Sequence, residues 1–559
     1  MPGAQNEDSH LYSGQLGVCL FRIHSGEVIL FISRVIVKNY RCLKCADLPL
    51  NQDLNIIVGN NECGKSTLLE AIHLALTGQL NGRPIQAEIH PYLFNSDVVN
   101  SYIERLMAKE PVAPPEIMIE LYFDDDSSLA KLKGINNTRR EDVPGVSLTV
   151  EFNPDFSDEF AVYVADPTVI KTLPVEYYIV RWKSFAENGI TARGIPVKLS
   201  FIDASAIRGN AATSRYVLDI VKDSLTREQQ VDLALSYRLM KDAFLEKDKV
   251  KCINDALAEK RGEISDKTLS ISLDTTSRTN WETGIMPHLD DVPLSLVGKG
   301  EQSSAKIRLA MESSSERQLI LIEEPENHLS FSILNSLISR LSERRGGRQL
   351  IITTHSSFVL NKLGVESVIL FNRGASGGLK SLSLETQDYF MRLPGHDTLR
   401  LILAKSSILV EGPSDELIVQ AAYKNKNGIM PLEAGLDVIA VRSLAFKRFL
   451  EIADLVGIPT SVVTDNDGSV AALKAKYKDY IGKSKIRILY DLDENYRTLE
   501  PQMLKANGRA VIEKVLGRTF DDDSALLKYM ENNKADVALM FFSTSEPWTA
   551  PKYILDAIN

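Results

Sequence analysis

The sequence predicts an α/β protein with two successive parallel sheets. Three observations lead to this prediction. A glycine-rich loop at 59–67 stands between an apolar strand and a helix, which is the context of a phosphate-binding loop. The apolar run 319–322 ends in paired carboxylates, as a buried parallel strand does when it delivers acids to its carboxyl end. From residue 407 onward, short apolar strands alternate with helical segments, which indicates a second parallel sheet.

The loop at 59–67 has the sequence Gly-Asn-Asn-Glu-Cys-Gly-Lys-Ser-Thr. Its two glycines allow backbone N–H groups to close around phosphate oxygens, and the helix that follows adds a favourable partial charge. Lys65 is predicted to reach the β- and γ-phosphates of ATP, and Ser66 to hold Mg²⁺. The alternative is a glycine turn without function, which the agreement of loop and flanks argues against. The residues of this segment predicted to bind the nucleotide are Asn60, Asn61, Gly64, Lys65, Ser66 and Thr67.

Length and composition limit the class of protein. With 559 residues, 44% of them hydrophobic and 25% charged, the chain is long enough for about three to four domains. The net charge of −10 excludes a bulk polycation, so any nucleic-acid contact needs a local basic surface and bridging metal ions. No apolar run approaches the ~18 residues of a membrane span, and the five cysteines form no disulfide framework, which favours a reducing cytoplasm. Residues 1–27 lack the pattern of a signal peptide and form a poorly informative extension.

The first domain is predicted at 28–375. The segments 31–37, 116–123 and 146–152 have the composition of strands, the last two in a meander. Residues of about 214–261 are rich in Lys, Glu, Leu and Ala, which predicts a helical insertion. This insertion has two interpretations, an amphipathic hairpin packed on its own domain or a dimerisation element.

Polar residues follow two buried strands of this domain. Glu323 and Glu324 follow the run 319–322, and His355 follows a strand at 350–354. In chemical terms Glu323 can hold the Mg²⁺ shell, Glu324 can polarise the attacking water and His355 can sense the γ-phosphate. A single His after a strand is more often a hydrogen-bonded structural residue, so the interpretation depends on all the elements together.

A domain boundary is predicted near 374–377, where the composition turns to Gly and Ser. A linker then occupies 376–404 and a second domain 405–559.

The second domain carries a separate acidic site. Glu411 follows an apolar strand, Asp415 begins the next helix, and Asp465 and Asp467 follow a later strand. Alternation along that strand end is expected to point the two aspartates the same way. Four converging carboxylates repel one another unless cations bind, so one or two Mg²⁺ or Mn²⁺ ions are predicted. The alternative is that the two aspartates belong to an ordinary turn.

The order of elements in the first domain resembles an ABC-type ATPase head. The loop at 59–67 corresponds to Walker A, the segment Gly298–Gln302 with Gly298 and Gly300 to the signature, Glu324 to the catalytic Walker B acid and His355 to the switch. The entry Lys38–Arg41 is similar to the RecF/SMC-like branch, whereas the long arm of SMC proteins is missing. In such heads one subunit's phosphate loop and another's signature enclose the nucleotide, so the resemblance implies a homodimer or homotetramer.

The acidic pattern of the second domain resembles Toprim domains. A Toprim domain after an ABC-type head is the arrangement of the OLD (overcoming lysogenisation defect) family, to which Gabija-type subunits and some retron-associated effectors belong. The local matches are Glu323–Leu329, Glu411-Gly412 with Asp415, Asp465-Asn466-Asp467, Thr498-Leu499-Glu500, and Asn533-Lys534 with Ala538. There are two departures from the family pattern: Ser330-Phe331 replaces a His-Pro, and Glu323 stands where a general ABC ATPase has Asp.

The resemblance implies a two-metal DNA nuclease, often in anti-phage defence. Glu411 and Asp415 would bind one metal, and Asp465 and Asp467 the other. Lys534 would stabilise charge near the scissile phosphate. Its alternative is an exposed helix lysine, and Lys552 is the competing candidate.

The combined prediction is an ATP-hydrolysing, metal-dependent DNA endonuclease whose ATP state gates the Toprim site. The implied partners are DNA, further copies of the chain, and a defence-system helicase or a reverse transcriptase with its RNA/DNA. The rival is a regulatory ATPase that binds nucleic acid or a partner protein with a non-cleaving Toprim domain. The basic residues that could follow the DNA backbone, each with the alternative of a solvated helix face, are Arg442, Lys447, Arg448, Lys474, Lys476, Lys478, Lys483, Lys485 and Arg487.

Overall fold

The computed structural model describes residues 31–559 apart from several internal segments. The segments left out are 167–169, 198, 204–217, 219–224, 262–266, 274–280, 282–284, 313–318, 328, 344–347, 373–374, 380, 394, 396 and 442–444. The predicted extension 1–27, most of 214–224 in the predicted insertion, and Arg442 therefore lie outside the described residues.

The strands alternate with helices along most of the chain. The strands are β1 (Ile32–Tyr40), β2 (Leu43–Pro49), β3 (Leu54–Val58), β4 (Gln79–Leu80), β5 (Arg83–Pro84), β6 (Ile117–Phe123), β7 (Lys133–Gly134), β8 (Val143–Phe152), β9 (Tyr178–Ser184), β10 (Leu199–Asp203), β11 (His288–Leu289), β12 (Val292–Pro293), β13 (Leu319–Glu323), β14 (Gln349–Thr353), β15 (Val368–Asn372), β16 (Ala375–Gly378), β17 (Ser406–Val410), β18 (Leu436–Ala440), β19 (Thr460–Val463) and β20 (Ile486–Leu489).

The α-helices of the described residues are α1 (Lys65–Thr77), α2 (Ser96–Met107), α3 (Ser157–Tyr163), α4 (Arg227–Leu245), α5 (Asp248–Glu259), α6 (Lys299–Glu312), α7 (Phe331–Glu343), α8 (Ser357–Leu363), α9 (Leu384–Arg392), α10 (Thr398–Leu403), α11 (Pro413–Asn427), α12 (Phe446–Val456), α13 (Val470–Lys476), α14 (Leu499–Asn507), α15 (Arg509–Leu516), α16 (Asp523–Asn532), α17 (Lys534–Ser543) and α18 (Lys552–Ala557).

The predicted antiparallel meander is present. Its strand order is β2-β1-β6-β8-β7, and β9 also pairs with β8. Every residue of β6 is buried, so this strand crosses the middle of the sheet with both faces covered.

The phosphate loop extends from the centre of a second sheet. The strand order is β10-β13-β14-β3-β15-β16, and all neighbours run parallel except β15 and β16. The carboxyl ends of β3, β13 and β14 lie at one edge, because neighbouring parallel strands end on the same side. This edge carries the phosphate loop, the paired glutamates and His355.

The third sheet is entirely parallel, with the order β18-β17-β19-β20. Strands β17 and β19 are direct neighbours, and Leu409 is in register with Val462. The residues that follow these strands are therefore delivered to one edge, as the alternation of strands and helices predicts.

The region 376–404 differs from the predicted linker. β16 extends to Gly378 and pairs with β15 of the ATPase sheet. Helices α9 and α10 follow, and their residues Phe390 and Leu401 are fully buried in the core that also contains Leu409. Apolar residues at helical spacing bury this connection, so the two sheets share one continuous core. The predicted domain boundaries stay predictions.

The described part of the helical insertion is two helices, α4 and α5. Helix α4 begins with a capping box, in which the Thr226 side chain accepts from Gln229 N and the Gln229 side chain accepts from Thr226 N. Three apolar side chains four residues apart, Val231, Leu235 and Leu239, are each more than half exposed. They form an apolar stripe along one face of α4.

Among the described residues, no helix combines the length and the apolar character that crossing a membrane requires.

We expect Phe390→Ala to destabilise both sheets together. The Phe390 ring packs edge-on against Phe449 at a centroid distance of 5.3 Å, and removing a buried phenyl group costs about 3–5 kcal/mol. Urea unfolding followed by circular dichroism would measure this loss. Leu384→Ala on the same helix is the matched control, because Leu384 is 80% exposed. An unchanged midpoint for Phe390→Ala would contradict a packed connection.

Candidate nucleotide and metal sites

The phosphate loop has the backbone conformation that its two glycines permit. Gly64 adopts φ 101° and immediately precedes α1. A Cβ at Gly59 would lie 2.2 Å from the carbonyl oxygen of Phe371, so β15 leaves room for glycine alone. Lys65 is buried, and its Nζ donates to the carbonyl oxygens of Gly59 (3.0 Å) and Asn60 (3.1 Å). The ammonium group is thus held inside the loop.

The other predicted residues of this loop lie at the surface. Asn60, Asn61 and Ser66 are exposed, and Thr67 is half-buried with its Oγ1 3.3 Å from Cys42 Sγ. Exposed polar side chains beside a buried lysine at a helix N-terminus are suited to bind phosphate oxygens and a cation.

Glu324 and His355 lie beside the phosphate loop. Glu324 adopts a left-handed φ of 44°, and its Oε1 lies 3.4 Å from His355 Nε2. Asn327 Nδ2 donates to the other carboxylate oxygen at 2.6 Å. Burial, and next the positive charge of Lys65, lower the pKa of His355, although Glu324 opposes the shift. The structure therefore brings Lys65, Glu324 and His355 together, with a neutral imidazole.

Glu323 and Glu326 complete this edge. Glu323 is buried at the end of β13, in register with Asp203 and Thr353. Glu326 Oε1 accepts from Thr354 Oγ1 (2.8 Å) and from the backbone N–H of His355 (2.6 Å), and burial raises its pKa. The sequence analysis gave Glu326 no role, although it stands in the same acidic motif.

The signature glycines lie at the amino-terminal end of α6. Gly298 accepts from Gln302 N at 3.0 Å at the start of α6, and Gly300 lies in that helix. Among the described residues, no hydrogen bond joins either glycine to the loop at 59–67.

The acidic site of the second domain begins at the end of β17. Glu411 Oε1 accepts from Thr464 Oγ1 at 2.6 Å and from the backbone N–H of Asp465 at 3.2 Å. These two bonds connect the ends of β17 and β19. Asp415 Oδ2 accepts from Gly412 N at 3.1 Å, which holds it at the first turn of α11.

The carboxylates of this site repel one another. Burial, followed by the charges of Glu411, Asp415, Glu500 and Asp467, raises the pKa of Asp465 to about 8. Burial and then the charge of Glu411 raise the pKa of Asp415 to about 6. The four predicted carboxylates therefore interact, as the sequence predicted.

Glu500 and Tyr553 also belong to this cluster, and neither was assigned a role from the sequence. Glu500 is buried, and its Oε1 lies 2.9 Å from Lys534 Nζ. Partial burial lowers the pKa of Lys534, but the hydrogen bond to Glu500 and the charges of Glu500, Asp465 and Asp415 leave it raised. Lys534 therefore lies with the carboxylates. Burial raises the pKa of Tyr553, and the nearby charges of Asp465 and Asp415 add to this effect.

The alternation argument for Asp465 and Asp467 was wrong, because β19 ends at Val463. The segment that follows is a turn, in which Asp467 adopts φ 49° and is exposed. The buried residue between them, Asn466, donates through Nδ2 to the carbonyl oxygens of Asp491 (3.0 Å) and Asp493 (3.0 Å). The turn is therefore fixed by the segment after β20.

The site fits hard divalent cations, since it offers carboxylate oxygens, and burial and like charges raise the pKa values of two of these carboxyl groups, Asp415 and Asp465. A cation at this edge would relieve the repulsion that raises the pKa of Asp465. Among the described residues, however, no three acidic, His or Cys side chains are already close enough together to hold a metal ion. Glu411, Asp415 and Glu500 are instead held by the hydrogen bonds given above.

Four of the nine predicted basic residues have hydrogen-bond or ion-pair partners within the protein. Arg448 pairs with Glu385 at 2.7 Å, Lys483 with Asp454, and Lys485 donates to Gly457 O. Arg487 donates to the carbonyl oxygens of Asp556 and Ala557 and to Ser461 Oγ. Lys447, Lys474, Lys476 and Lys478 are exposed, and the partnered Lys483, Lys485 and Arg487 are exposed as well.

Three family models match the chain. An AAA domain model matches residues 34–141, and a second one, that of the AbiEii toxin of type IV toxin–antitoxin systems, matches 212–361. The TOPRIM domain of overcoming lysogenization defect protein-like proteins matches 402–467. The ATPase matches thus lie on either side of residues 142–211, and the TOPRIM match contains Glu411, Asp415, Asp465 and Asp467.

Curated relatives match a smaller part. The DNA replication and repair protein RecF of Haemophilus ducreyi is 51% identical over 106 residues, which is 18% of this chain and 29% of RecF. RecF of Vibrio campbellii is 37% identical over 76 residues, 12% of this chain and 21% of RecF. The chain thus spans about a fifth to a third of these relatives.

Solved structures with low similarity were also found. The SmcHead bound to the C-winged helix domain of ScpA is 16% identical, covers 64% of this chain and 99% of its own, and has a TM-score of 0.33. The C-terminal region of the Xanthomonas campestris pv. campestris OLD protein is 21% identical, covers 28% and 92%, and has a TM-score of 0.21.

The family models and the three sheets agree with the arrangement that the sequence predicts, an ATPase head followed by a parallel-sheet domain. The resemblance to the OLD family is confirmed at the level of its domains: the chain joins AAA-type ATPase domains to a TOPRIM domain of the overcoming-lysogenization-defect type.

Proposed function

We propose that the protein is an ATP-dependent DNA endonuclease of the OLD family that uses divalent metal ions. The observation that carries this proposal is the cluster of the half-buried Glu411, Asp415 and Asp465 with Lys534 beside it. Burial and neighbouring carboxylates raise the pKa values of Asp415 and Asp465, and among the described residues no ion pair with an arginine reaches either one. Such a site is suited to cations, which phosphodiester cleavage at a TOPRIM edge requires.

The residues of the cluster have different roles in cleavage. Divalent ions bound there would activate a water molecule and stabilise the leaving oxygen. Glu411 and Asp415 would hold one ion, and Asp465 and Asp467 the other. Lys534 is kept charged by Glu500 and provides a cation near the scissile phosphate, which favours it over Lys552.

ATP state acts on this site through the shared core. A cavity of about 730 Å³, here called the interdomain cavity, has Asn60 and His355 on one side and Arg400 and Asp437 on the other. Arg400 belongs to α10, and its Nη2 lies 2.6 Å from Asp437 Oδ1 and 3.7 Å from Glu416 Oε1. A change at the γ-phosphate would thus reach α11, the helix that carries Asp415.

The active unit is a homodimer or a homotetramer. We expect the phosphate loop of one copy and the signature glycines of another to enclose the nucleotide, as the resemblance to ABC-type heads implies. The apolar stripe of α4, Val231, Leu235 and Leu239, supplies an exposed surface for that copy.

DNA is the substrate, and anti-phage defence in the cytoplasm is the setting we propose, with a helicase or a reverse transcriptase as possible system partner. The exposed lysines Lys447, Lys474 and Lys478 remain for backbone contacts. A regulatory ATPase with a non-cleaving TOPRIM domain is the second candidate. It is favoured by the observation that no metal site is preformed among the described residues.

Glu411→Ala should lower DNA cleavage in Mg²⁺ or Mn²⁺ by at least about 100-fold. Mutation of a residue that only contacts a metal ligand already lowers metal affinity or activity by about 10- to 100-fold, and Glu411 is itself a proposed ligand. Nicking and linearisation of supercoiled plasmid, with and without ATP, measure this, and a nucleotide-binding titration should show unchanged ATP affinity. Lys534→Ala should also impair cleavage.

Glu531→Ala and Lys528→Ala are the matched controls, since both side chains are exposed in α16. Cleavage that persists in pure Glu411→Ala protein would reject the site. Absence of cleavage in the wild type under every metal and nucleotide condition would favour the regulatory ATPase.

Glu324→Gln should bind ATP as the wild type does but hydrolyse it about 100- to 10,000-fold more slowly, because this is the usual contribution of a general base to the rate. The amide preserves the shape of the side chain but cannot accept a proton from water. Phosphate release and equilibrium ATP binding separate the two effects. The control is Glu176→Gln, an exposed glutamate on the first domain. Normal turnover in Glu324→Gln would assign the base to another residue.

Leu235→Glu should shift the protein towards the monomer, because a charge in the middle of the α4 stripe cannot be buried against a second copy. Light scattering after size exclusion measures the mass. Leu384→Glu, on a leucine of α9 that is 80% exposed where Leu235 is 54% exposed, should leave the mass unchanged. An intact oligomer in Leu235→Glu would place the interface elsewhere.

A further inference from the structure

Tyr553 lies at the acidic site, and the cleavage chemistry proposed above gives it no role. It is 5% exposed and belongs to a core cluster that also contains Val410 and Val463. These two valines are the last residues of β17 and β19, just before the segments that carry Glu411 and Asp465. Tyr553 is therefore buried in the same core as the two strand ends that deliver the carboxylates.

Helix α18, which carries Tyr553, is fixed on this sheet. It packs against β19 and β20. Arg487 of β20 donates from Nη1 to the carbonyl oxygen of Asp556 and from Nη2 to that of Ala557, both at 3.2 Å. The helix therefore holds Tyr553 in one position relative to the strand ends.

The hydroxyl group of Tyr553 has no hydrogen-bond partner among the described residues. It differs from the unpaired hydroxyl groups of Tyr102, Tyr178 and Tyr477, which are closed to solvent. Tyr553 also lines an open cavity of about 510 Å³, so a small group can reach this side chain. Leaving a polar group of a buried residue unpaired is costly, and we therefore expect a partner from outside the protein.

Several carboxylates lie near this hydroxyl group without bonding to it. Burial raises the pKa of Tyr553 most, and the charges that add to this effect are, in order of size, those of Asp465, Asp415, Asp491 and Glu411. The charges of Asp465 and Asp415 also act on Lys534. Tyr553 and Lys534 thus approach the same pair of carboxylates from two different helices, α18 and α17.

A tyrosine at such a site has two possible roles, nucleophile and hydrogen-bond donor. Attack on phosphorus requires the phenolate, which burial and neighbouring carboxylates disfavour. A neutral phenol can donate a hydrogen bond, and a phosphate oxygen is a strong acceptor because it is charged. The surroundings of Tyr553 therefore favour the donor.

We propose that Tyr553 is a phosphate-binding residue of the TOPRIM site, whose hydroxyl group donates a hydrogen bond to a non-bridging oxygen of the phosphodiester bound at the carboxylates. The identity of the substrate rests on the proposed nuclease function. The phenol keeps its proton, and no covalent bond of Tyr553 forms or breaks. With Lys534, the hydroxyl group stabilises the negative charge of the phosphate in a site where nearby carboxylates would otherwise repel it.

The first measurement is phosphate binding without cleavage. Thymidine 5′-monophosphate is titrated calorimetrically in Ca²⁺, in a Lys65→Ala background that weakens the phosphate loop. Tyr553→Phe removes only the hydroxyl group and should weaken binding at least about tenfold, because a hydrogen bond to a charged group is lost. The matched control is Tyr178→Phe, which removes another unpaired hydroxyl group from a buried tyrosine of the first domain and should bind as its background does.

The second measurement is hydrolysis of thymidine 5′-(p-nitrophenyl phosphate) in Mn²⁺, a diester that requires no DNA sequence specificity. Tyr553→Phe should lower kcat/KM at least about tenfold with an unchanged melting temperature, and Tyr178→Phe should not lower it. Replacement of Tyr553 by 3-fluorotyrosine keeps the hydroxyl group and should restore hydrolysis. A purely structural role would not distinguish these variants in this way.

The outcomes separate this inference from the proposed function. Cleavage by the wild type with equal affinity and equal kcat/KM in Tyr553→Phe would overturn the phosphate contact and leave the nuclease intact. Nucleotide binding that Tyr553→Phe weakens, in a protein that cleaves neither DNA nor the diester, would support the contact and count against the nuclease. A DNA adduct that survives SDS and is lost in Tyr553→Phe would make Tyr553 a nucleophile and overturn the donor role. Absence of both binding and cleavage would reject both proposals.

Discussion

The strand that leads into the phosphate loop is buried on both faces, and the connection between the two sites depends on this. Ile57 of β3 packs into the core beneath the antiparallel meander. Its neighbours Ile56 and Val58 point to the opposite face, into the core that also contains Leu409 of β17. Strand β3, which leads into Gly59, and strand β17, which leads into Glu411, therefore pack side chains into the same core. Such interiors transmit displacements because they contain few voids.

The acidic residues of the second domain fall into two groups that differ in their partners. Asp437 is neutralised by the guanidinium of Arg400, and the carboxylate of Glu451 accepts hydrogen bonds from Ser383 and Thr386. Among the described residues, by contrast, no ion pair reaches Asp415 or Asp465, although both are largely buried. Folding alone would favour partners for buried carboxylates, as it provides for Asp437. Among the described residues, this difference supports the proposal that cations bind at this edge.

What the sequence predicted well is local. The loop at 59–67, the acids after β13 and the acids after β17 and β19 each follow from a strand and the few residues beyond it, and parallel neighbours bring such ends together. Glu500 and Tyr553 could not be placed this way. They belong to helices α14 and α18, more than thirty residues beyond β19, and only tertiary packing brings them to the carboxylates.

Contacts that are distant in the chain also bear on two other predictions. Gly and Ser near 374–377 indicate a boundary, and the helices that follow place Phe390 and Leu401 in the core. Arg448 and Arg487 were candidates for DNA contact, because a sequence shows charge and does not show the Glu385 carboxylate or the chain end that each arginine meets.

The two adjacent glutamates after β13 have different backbone geometry, which bears on the different roles that the sequence predicts for them. Glu323 is the last residue of the strand, and its side chain is buried in register with Thr353. Glu324 leaves the strand with a left-handed φ of 44°, stabilised by a hydrogen bond from its N–H to Thr353 O at 3.0 Å. An L residue other than Asn or Asp adopts this conformation at a cost in free energy. Residues with such backbone strain are often found at functional sites. The turn directs the Glu324 carboxylate to His355, while Glu323 stays with the strands. Two identical side chains thus obtain different surroundings, one suited to a cation shell and one to the attacking water.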